Sequence, residues 1–527
     1  MTESVHAKLP GAAAIAVTLL FAVSCAAFVW QPTLATFADD SVSYLVMAQV
    51  FSPYQAASPA VAAAFSREAF YPPLFPLVLA LAGAAHDIAR AHAATALMLA
   101  AALPFVYLLG VRWLGGRGSA LAALACIALL PSLWINAKGI LSEPLLCLLL
   151  VATFWALDRD ESGAAAPWTT GCLMVAMALT RTAALPMIGV YALWAMSRRG
   201  APLAARLRGV APAAAALLAY GLWVLLRPSM TEDDYARILL EKGQGLFDGQ
   251  GSFAAALGAS VARQAHAIVE GWAGSLLLFW VEGQPTRFAL ASLIGVLSLA
   301  GLAIRIARGS ADGWMTAAYL ATLLAWPFYE QMERFLFPAL PVLVLYAFFA
   351  AGEAMRAMAR PRALAHAVVV GLILTLALPA MAFIRQRSQA PGAVTRITDW
   401  YRTPDLDRAR RRAQTHLDLF DDMRAIGALT QAGDRVMWVA PSYIALLADR
   451  RALPAPDARL SPEAYREAVR KSGADYVFLS RYHPRDTIHD SAWQSGVRAL
   501  SGEGKAVHTR TQDGGSVVTS ILLRTPK

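Results

Sequence analysis

Residues 11–44 read GAAAIAVTLLFAVSCAAFVWQPTLATFADDSVSY. The first twenty of these carry no charge, and the stretch then turns acidic at Asp39-Asp40. An apolar run of about 20 residues spans the ~30 Å hydrocarbon core of a bilayer. A secretory leader would have a shorter apolar core and a small-residue cleavage site. Residues 11–30 are therefore read as a retained membrane helix that delivers two carboxylates to the far side.

The rest of the chain repeats this pattern. Charged residues make up 16%, against roughly 25% in a soluble domain, so most of the chain has no water to face. Further apolar helical runs fall near 92–111, 118–137, 144–157, 167–181, 182–197, 209–226, 286–304, 313–329, 335–355 and 363–384. The fold class is thus mainly α, a polytopic bundle of about eleven transmembrane helices. Residues 1–384 form the membrane domain. Residues 385–527 have the composition of a small soluble α/β domain, with strands at 436–439 and 476–479, a helix opened by Ser461-Pro462-Glu463, and a hairpin around Asp513-Gly514-Gly515.

Basic residues set the direction. Lys8, Arg112 and Arg117, Arg159, Arg198, Arg199, Arg206 and Arg208, Arg305 and Arg308, and Arg356, Arg360 and Arg362 fall in every second loop. The positive-inside rule then puts the N-terminus in the cytoplasm and the C-terminal domain outside. Residues 71–85 are apolar but reach only ~22 Å as a helix. They are read as an interfacial helix within a long outer loop, 31–91. A second outer loop, 227–285, holds Trp272, Phe279 and Trp280 and is expected to lie at the membrane surface.

The net charge of +10 is this loop pattern, and no nucleic-acid-binding motif accompanies it. Cys25, Cys126, Cys147 and Cys172 lie in or beside apolar runs, with no CxxC pair, and the histidines show no HExxH. No metal site is assigned, although a divalent cation is left open.

Four groups carry chemistry, and the topology puts all of them on the outer side. They are Asp39 and Asp40 with Tyr44, Lys138 with Glu143, Arg181 between two apolar runs, and Arg334 at a helix mouth. Charges at membrane depth are costly. Each group has a structural reading as well. Asp40 could cap the following helix. Lys138 could pair with Glu143, Arg181 could snorkel, and Arg334 could pair with Glu330 or Glu333 while contributing little packing. Their shared side favours one site, in which clustered cations suit a lipid-linked phosphate or diphosphate and a carboxylate suits a general base.

The chain resembles the membrane glycosyltransferases of the GT-C fold, the superfamily of the protein O-mannosyltransferases and the lipid A aminoarabinose transferase. The resemblance rests on Asp40-Ser41-Val42-Ser43-Tyr44 in the first outer loop and Tyr71-Pro72-Pro73-Leu74 at its end. It rests also on Glu143 after the third span and on Arg334-Phe335-Leu336-Phe337-Pro338-Ala339-Leu340-Pro341. It implies inverting transfer of a sugar from a polyprenyl-phosphate donor to a hydroxyl acceptor (lipid, glycan or protein) at the outer face of a bacterial-type inner membrane. Carried over, Asp40 is the base, with Asp39 the alternative. Lys138, Arg181 and Arg334 hold the donor phosphate, and Glu143, Tyr44 and Tyr71 orient groups or the acceptor. Two positions depart from the pattern: Tyr71 stands where relatives have lysine, and the acidic pair is Asp-Asp rather than Asp-Glu. Rival readings are a surface-polysaccharide polymerase or ligase with a diphosphate-linked donor, a transporter, and a non-catalytic membrane scaffold.

Overall fold

The computed structural model describes residues 2–37, 40–161, 167–198, 202–228, 253–278, 284–326, 328–481, 489–512 and 515–526. Asp39, Phe279, Trp280, Asp513 and Gly514 lie outside the described residues. The chain divides into two compact units. One comprises Met1–Trp30, Pro72–Phe75 and His92–Ala393, and the other Gln31–Tyr71, Pro76–Ala91 and Val394–Lys527.

The first unit is helical. By length and composition, six of the described helices can cross a membrane: Gly11–Val29, Ile88–Leu114, Leu203–Leu226, Pro285–Ala307, Tyr329–Ala357 and Arg362–Ser388. The other five expected spans fall on helices that are shorter, broken or charged at one end. Pro131 divides the run 118–137 into Arg117–Ala128 and Pro131–Asn136, with Leu130 extended before it, because the ring excludes helical backbone from the preceding residue. Arg181 is extended at φ −152° and separates Pro167–Ala178 from Leu185–Ser197. Glu143–Glu161 ends in Asp158-Arg159-Asp160-Glu161.

Outward-facing apolar side chains identify the solvent. Ile15, Leu19, Leu20 and Val23 on the first helix, and Leu217, Leu218, Leu222, Leu225 and Leu226 on another, are exposed. Patches of this kind on membrane-length helices face lipid, since a soluble monomer does not carry them. The protein is a multi-pass membrane protein. The most enclosed of the six spans is Tyr329–Ala357, 89% buried over its apolar window, so this helix is the axis of the unit. Pro285–Ala307 packs on it through Gly301, where an added Cβ would lie 2.2 Å from the carbonyl oxygen of Tyr346. Backbone cannot yield there as a flexible side chain could. Gly301→Ala is expected to cost at least ~1–3 kcal/mol, read as a lower melting temperature in detergent. Gly371→Ala, where a Cβ meets nothing within 4 Å, is expected to show no such loss.

The second unit holds a five-stranded mixed sheet in the order β2-β1-β3-β5-β4. The strands are β1 Arg435–Trp438, β2 Arg451–Pro454, β3 Tyr476–Ser480, β4 Lys505–Gln512 and β5 Val517–Arg524. β1 runs parallel to both β2 and β3, while β3–β5 and β5–β4 are antiparallel. The strands at 436–439 and 476–479 and the C-terminal hairpin stand as the sequence suggests. Ser461 caps Pro462–Ser472 by accepting from the Ala464 amide at 3.2 Å. Met437, Val477 and Leu479 of the sheet pack on Tyr465 and Val469 of that helix.

Residues 31–37 of the first loop belong to this unit. The Thr398 amide donates to the Ala35 carbonyl at 3.0 Å. The Phe37 amide donates to His416 Nδ1 at 3.2 Å, and the Phe37 ring lies 4.5 Å from Phe420 and 4.7 Å from Tyr443. Within residues 71–85 the helix is Leu74–Leu81, only ~12 Å long and too short to span.

Candidate active site

In the helical unit, Glu143 begins the helix Glu143–Glu161 and its side chain is 1% exposed. Two arginines reach one of its oxygens. Arg181 Nη1 lies 2.8 Å from Oε1, and Arg334 Nε also donates to Oε1. Each arginine has a further polar contact: Arg181 Nη1 to Ser142 Oγ at 3.0 Å, and Arg334 Nη1 to Gln331 Oε1 at 3.2 Å. Phe335 lies beneath both guanidiniums, at 5.8 and 5.9 Å. The other carboxylate oxygen, Glu143 Oε2, is buried without a hydrogen-bond partner.

Sequence breaks build this cluster. The helix ends at Ala178 and a turn follows, which throws Arg181 out in extended geometry. Arg334 sits on the short helix Met332–Leu336 that precedes Pro338 and Pro341. Two guanidiniums converge on one carboxylate, in surroundings that strengthen charge–charge interaction. An anion is the ligand that such a cluster favours.

The second unit carries a carboxylate cluster of its own. Asp40 stands before the helix Ser41–Phe51, but its side chain makes no capping bond to it. Instead the Tyr71 hydroxyl donates to Asp40 Oδ1 at 2.8 Å. The Tyr71 ring lies 5.1 Å from Tyr44 and 4.2 Å from Phe70. Burial, followed by the charge of Asp40, pushes the Tyr71 phenol well above its usual range, so it remains a donor at neutral pH. Beside it, Glu68 accepts from Ser442 and Ser43. Burial raises the Glu68 carboxyl, the two serines oppose that shift, and the nearby Asp40 charge adds to it.

Solved structures share this fold along nearly the whole chain. ArnT from Cupriavidus metallidurans bound to undecaprenyl phosphate matches with a TM-score of 0.54 at 13% identity, over 96% of this chain and 97% of that one. Its apo state gives 0.51 at 13% identity, over 99% and 98%. The oligosaccharyltransferase AglB from Archaeoglobus fulgidus, in complex with an inhibitory peptide and a dolichol-phosphate, gives 0.50 at 13% identity, over 98% and 74%. This is the GT-C fold. No family model and no curated protein sequence matches the chain.

Within this GT-C framework the residues singled out from sequence fall into three places. Arg181 and Arg334 meet on Glu143. Asp40, Tyr44 and Tyr71 meet in the second unit. Lys138 is buried at the end of the first helix, where its ammonium donates to the Phe28 carbonyl at 3.2 Å and lies 4.4 Å from the centre of the Phe28 ring. Arg334 differs from the expectation of a helix-mouth side chain with little packing. It is only 10% exposed, and it reaches a carboxylate 191 positions away in sequence, Glu143.

Sequence reading passed over Glu68, Ser142 and Gln331. Glu68 did leave a signal, since it is the only acid between Asp40 and Asp87. Among the described residues no group of three or more His, Cys, Asp or Glu is placed to hold a metal ion.

Proposed function

We propose that the protein is an integral-membrane inverting glycosyltransferase that moves a sugar from a polyprenyl-phosphate donor to a hydroxyl acceptor on the extracytoplasmic face. The observation that carries this reading is the convergence of Arg181 and Arg334 on Glu143 in a GT-C fold. Guanidiniums bind phosphate through paired, directional hydrogen bonds. ArnT and AglB, two proteins that share the fold, were captured with undecaprenyl phosphate and a dolichol-phosphate.

The roles follow from the chemistry. The acceptor hydroxyl oxygen attacks the anomeric carbon, and the bond from that carbon to the phosphate oxygen breaks. Its electron pair leaves on the polyprenyl phosphate, and the hydroxyl proton passes to Asp40. Inversion needs one base and no enzyme nucleophile. Tyr71 holds the Asp40 carboxylate by its hydroxyl and so fixes which lone pairs face the acceptor. Arg181 and Arg334 take the growing phosphate charge, Glu143 keeps the two guanidiniums oriented, and Lys138 adds positive charge to the same phosphate-binding role. The unpartnered Glu143 Oε2 suits an acceptor or donor hydroxyl. Arginine placement puts the N-terminus in the cytoplasm, and the reactive groups and residues 385–527 in the periplasm of a bacterial-type cell envelope.

Titration of the purified protein with undecaprenyl phosphate tests this assignment. Losing a charge-assisted hydrogen bond costs ~1.5–3 kcal/mol, so Arg181→Gln should bind roughly ten- to a hundredfold more weakly than wild type. Equal affinity would remove Arg181 from the donor site. Tight preference for a diphosphate-linked lipid would favour the polysaccharide polymerase or ligase reading.

A further inference from the structure

A second charged recess lies in the helical unit, at the other end of the helices that carry the Glu143 cluster. Asp158 is fifteen residues beyond Glu143 on Glu143–Glu161, ~22 Å along the axis. Glu353 is near the end of Leu340–Ala357, whose start adjoins Arg334. Between these ends opens a cleft of about 450 Å³.

Its charges do not cancel. Arg112 pairs with Asp158, and Arg305 pairs with Asp312, which also accepts from the Tyr346 hydroxyl at 2.7 Å. Glu353, by contrast, faces three guanidiniums: Arg308 on Oε2, and Arg362 at 2.6 Å and Arg356 at 3.7 Å on Oε1. Among the described residues, three cations on one carboxylate leave a surplus of two positive charges. Arg308 and Arg356 are half-exposed or more, whereas Glu353 is 13% exposed. The carboxylate is therefore the inner wall and the surplus charge is the mouth.

Two aromatic rings line the recess. Arg305 lies over Trp113 at 4.6 Å and Arg308 over Phe349 at 5.1 Å. Low-dielectric walls focus the field of such a cluster on whatever enters. A basic loop that served only as an orientation signal needs neither a carboxylate set behind the guanidiniums nor an aromatic lining. We propose that this cleft binds the phosphate headgroup of an anionic membrane lipid. Arginine forks match phosphate oxygens, and basic residues at the cytoplasmic surface attract anionic lipids. A lipid is favoured over a soluble phosphate because lining residues sit at or just past the ends of four membrane-length helices, Ile88–Leu114, Pro285–Ala307, Tyr329–Ala357 and Arg362–Ser388, the depth at which lipid headgroups lie.

Native mass spectrometry of the full chain, purified with phosphatidylglycerol and phosphatidylcholine in equal amounts, tests the proposal. Wild type should retain phosphatidylglycerol selectively. Arg308→Gln and Arg356→Gln should each lower that retention about tenfold. Arg360→Gln removes the same charge from an exposed position that does not line the cleft, and should leave retention unchanged. Loss of equal size in Arg360→Gln would assign the effect to diffuse charge and overturn the site. Displacement of the lipid by inorganic phosphate would overturn the lipid assignment.

Discussion

Asp40→Asn should lower glycosyl transfer by roughly 10²–10⁴-fold, the usual loss when a general base is removed, while leaving the fold and donor binding intact. A capping role for this carboxylate would predict near-normal activity instead, because asparagine caps helices about as well as aspartate. The geometry separates the two readings. Asp40 makes no side-chain capping bond to the helix Ser41–Phe51, and asparagine keeps an oxygen for the Tyr71 hydroxyl that Asp40 Oδ1 now accepts. The substitution removes basicity and little else. Tyr71→Phe provides the companion measurement. It keeps the ring against Tyr44 and Phe70 and deletes only the donor, so it should cost less than Asp40→Asn. Asp39→Asn is the register control. A loss confined to Asp39→Asn would move the base by one residue.

Arg334→Ala should be the most destabilising of the site substitutions. It removes a charge-assisted hydrogen bond from the buried Glu143 carboxylate, a loss of ~1.5–3 kcal/mol. Arg181 remains 2.8 Å from Glu143 Oε1, which argues for the lower end of that range. Thermal unfolding in detergent measures the loss. Arg334→Lys keeps the charge but cannot supply both the Nε and Nη1 contacts now made to Glu143 and Gln331. It should recover most of the stability and only part of the affinity for polyprenyl phosphate. Full recovery of both would reduce Arg334 to a structural counter-ion.

Much of this architecture could be read from the chain because the bilayer imposes simple rules. Charge-free runs of membrane length have one stable solution, and all six membrane-length helices coincide with runs visible in the sequence. Arg181 and Arg334 stood out because charge at such depth is costly. What joins them was not legible. Glu143 is 38 residues from the first and 191 from the second, and no local periodicity carries that contact. The same holds for Phe37, whose amide reaches His416 across 379 residues. Glu68 was overlooked because a carboxylate after Ser66-Arg67 at a helix end reads as solvated, whereas Ser43 and Ser442 enclose it. Strand β2, Arg-Ala-Leu-Pro, lacks the alternation that revealed β4 and β5. It is a short edge strand ending in proline, a form that edges tolerate.

The proposed transfer requires Asp40 to act on a polyprenyl-phosphate sugar. The most direct test is mass spectrometry of the lipids that co-purify with wild type and with Asp40→Asn. A variant that binds donor without turning it over should carry polyprenyl phosphate bearing one additional sugar, whose mass names that sugar, whereas wild type should carry mainly the bare carrier. If neither protein carries a polyprenyl phosphate, or if the variant and wild type carry the same species in the same ratio, Asp40 is not the base of a transfer from such a donor.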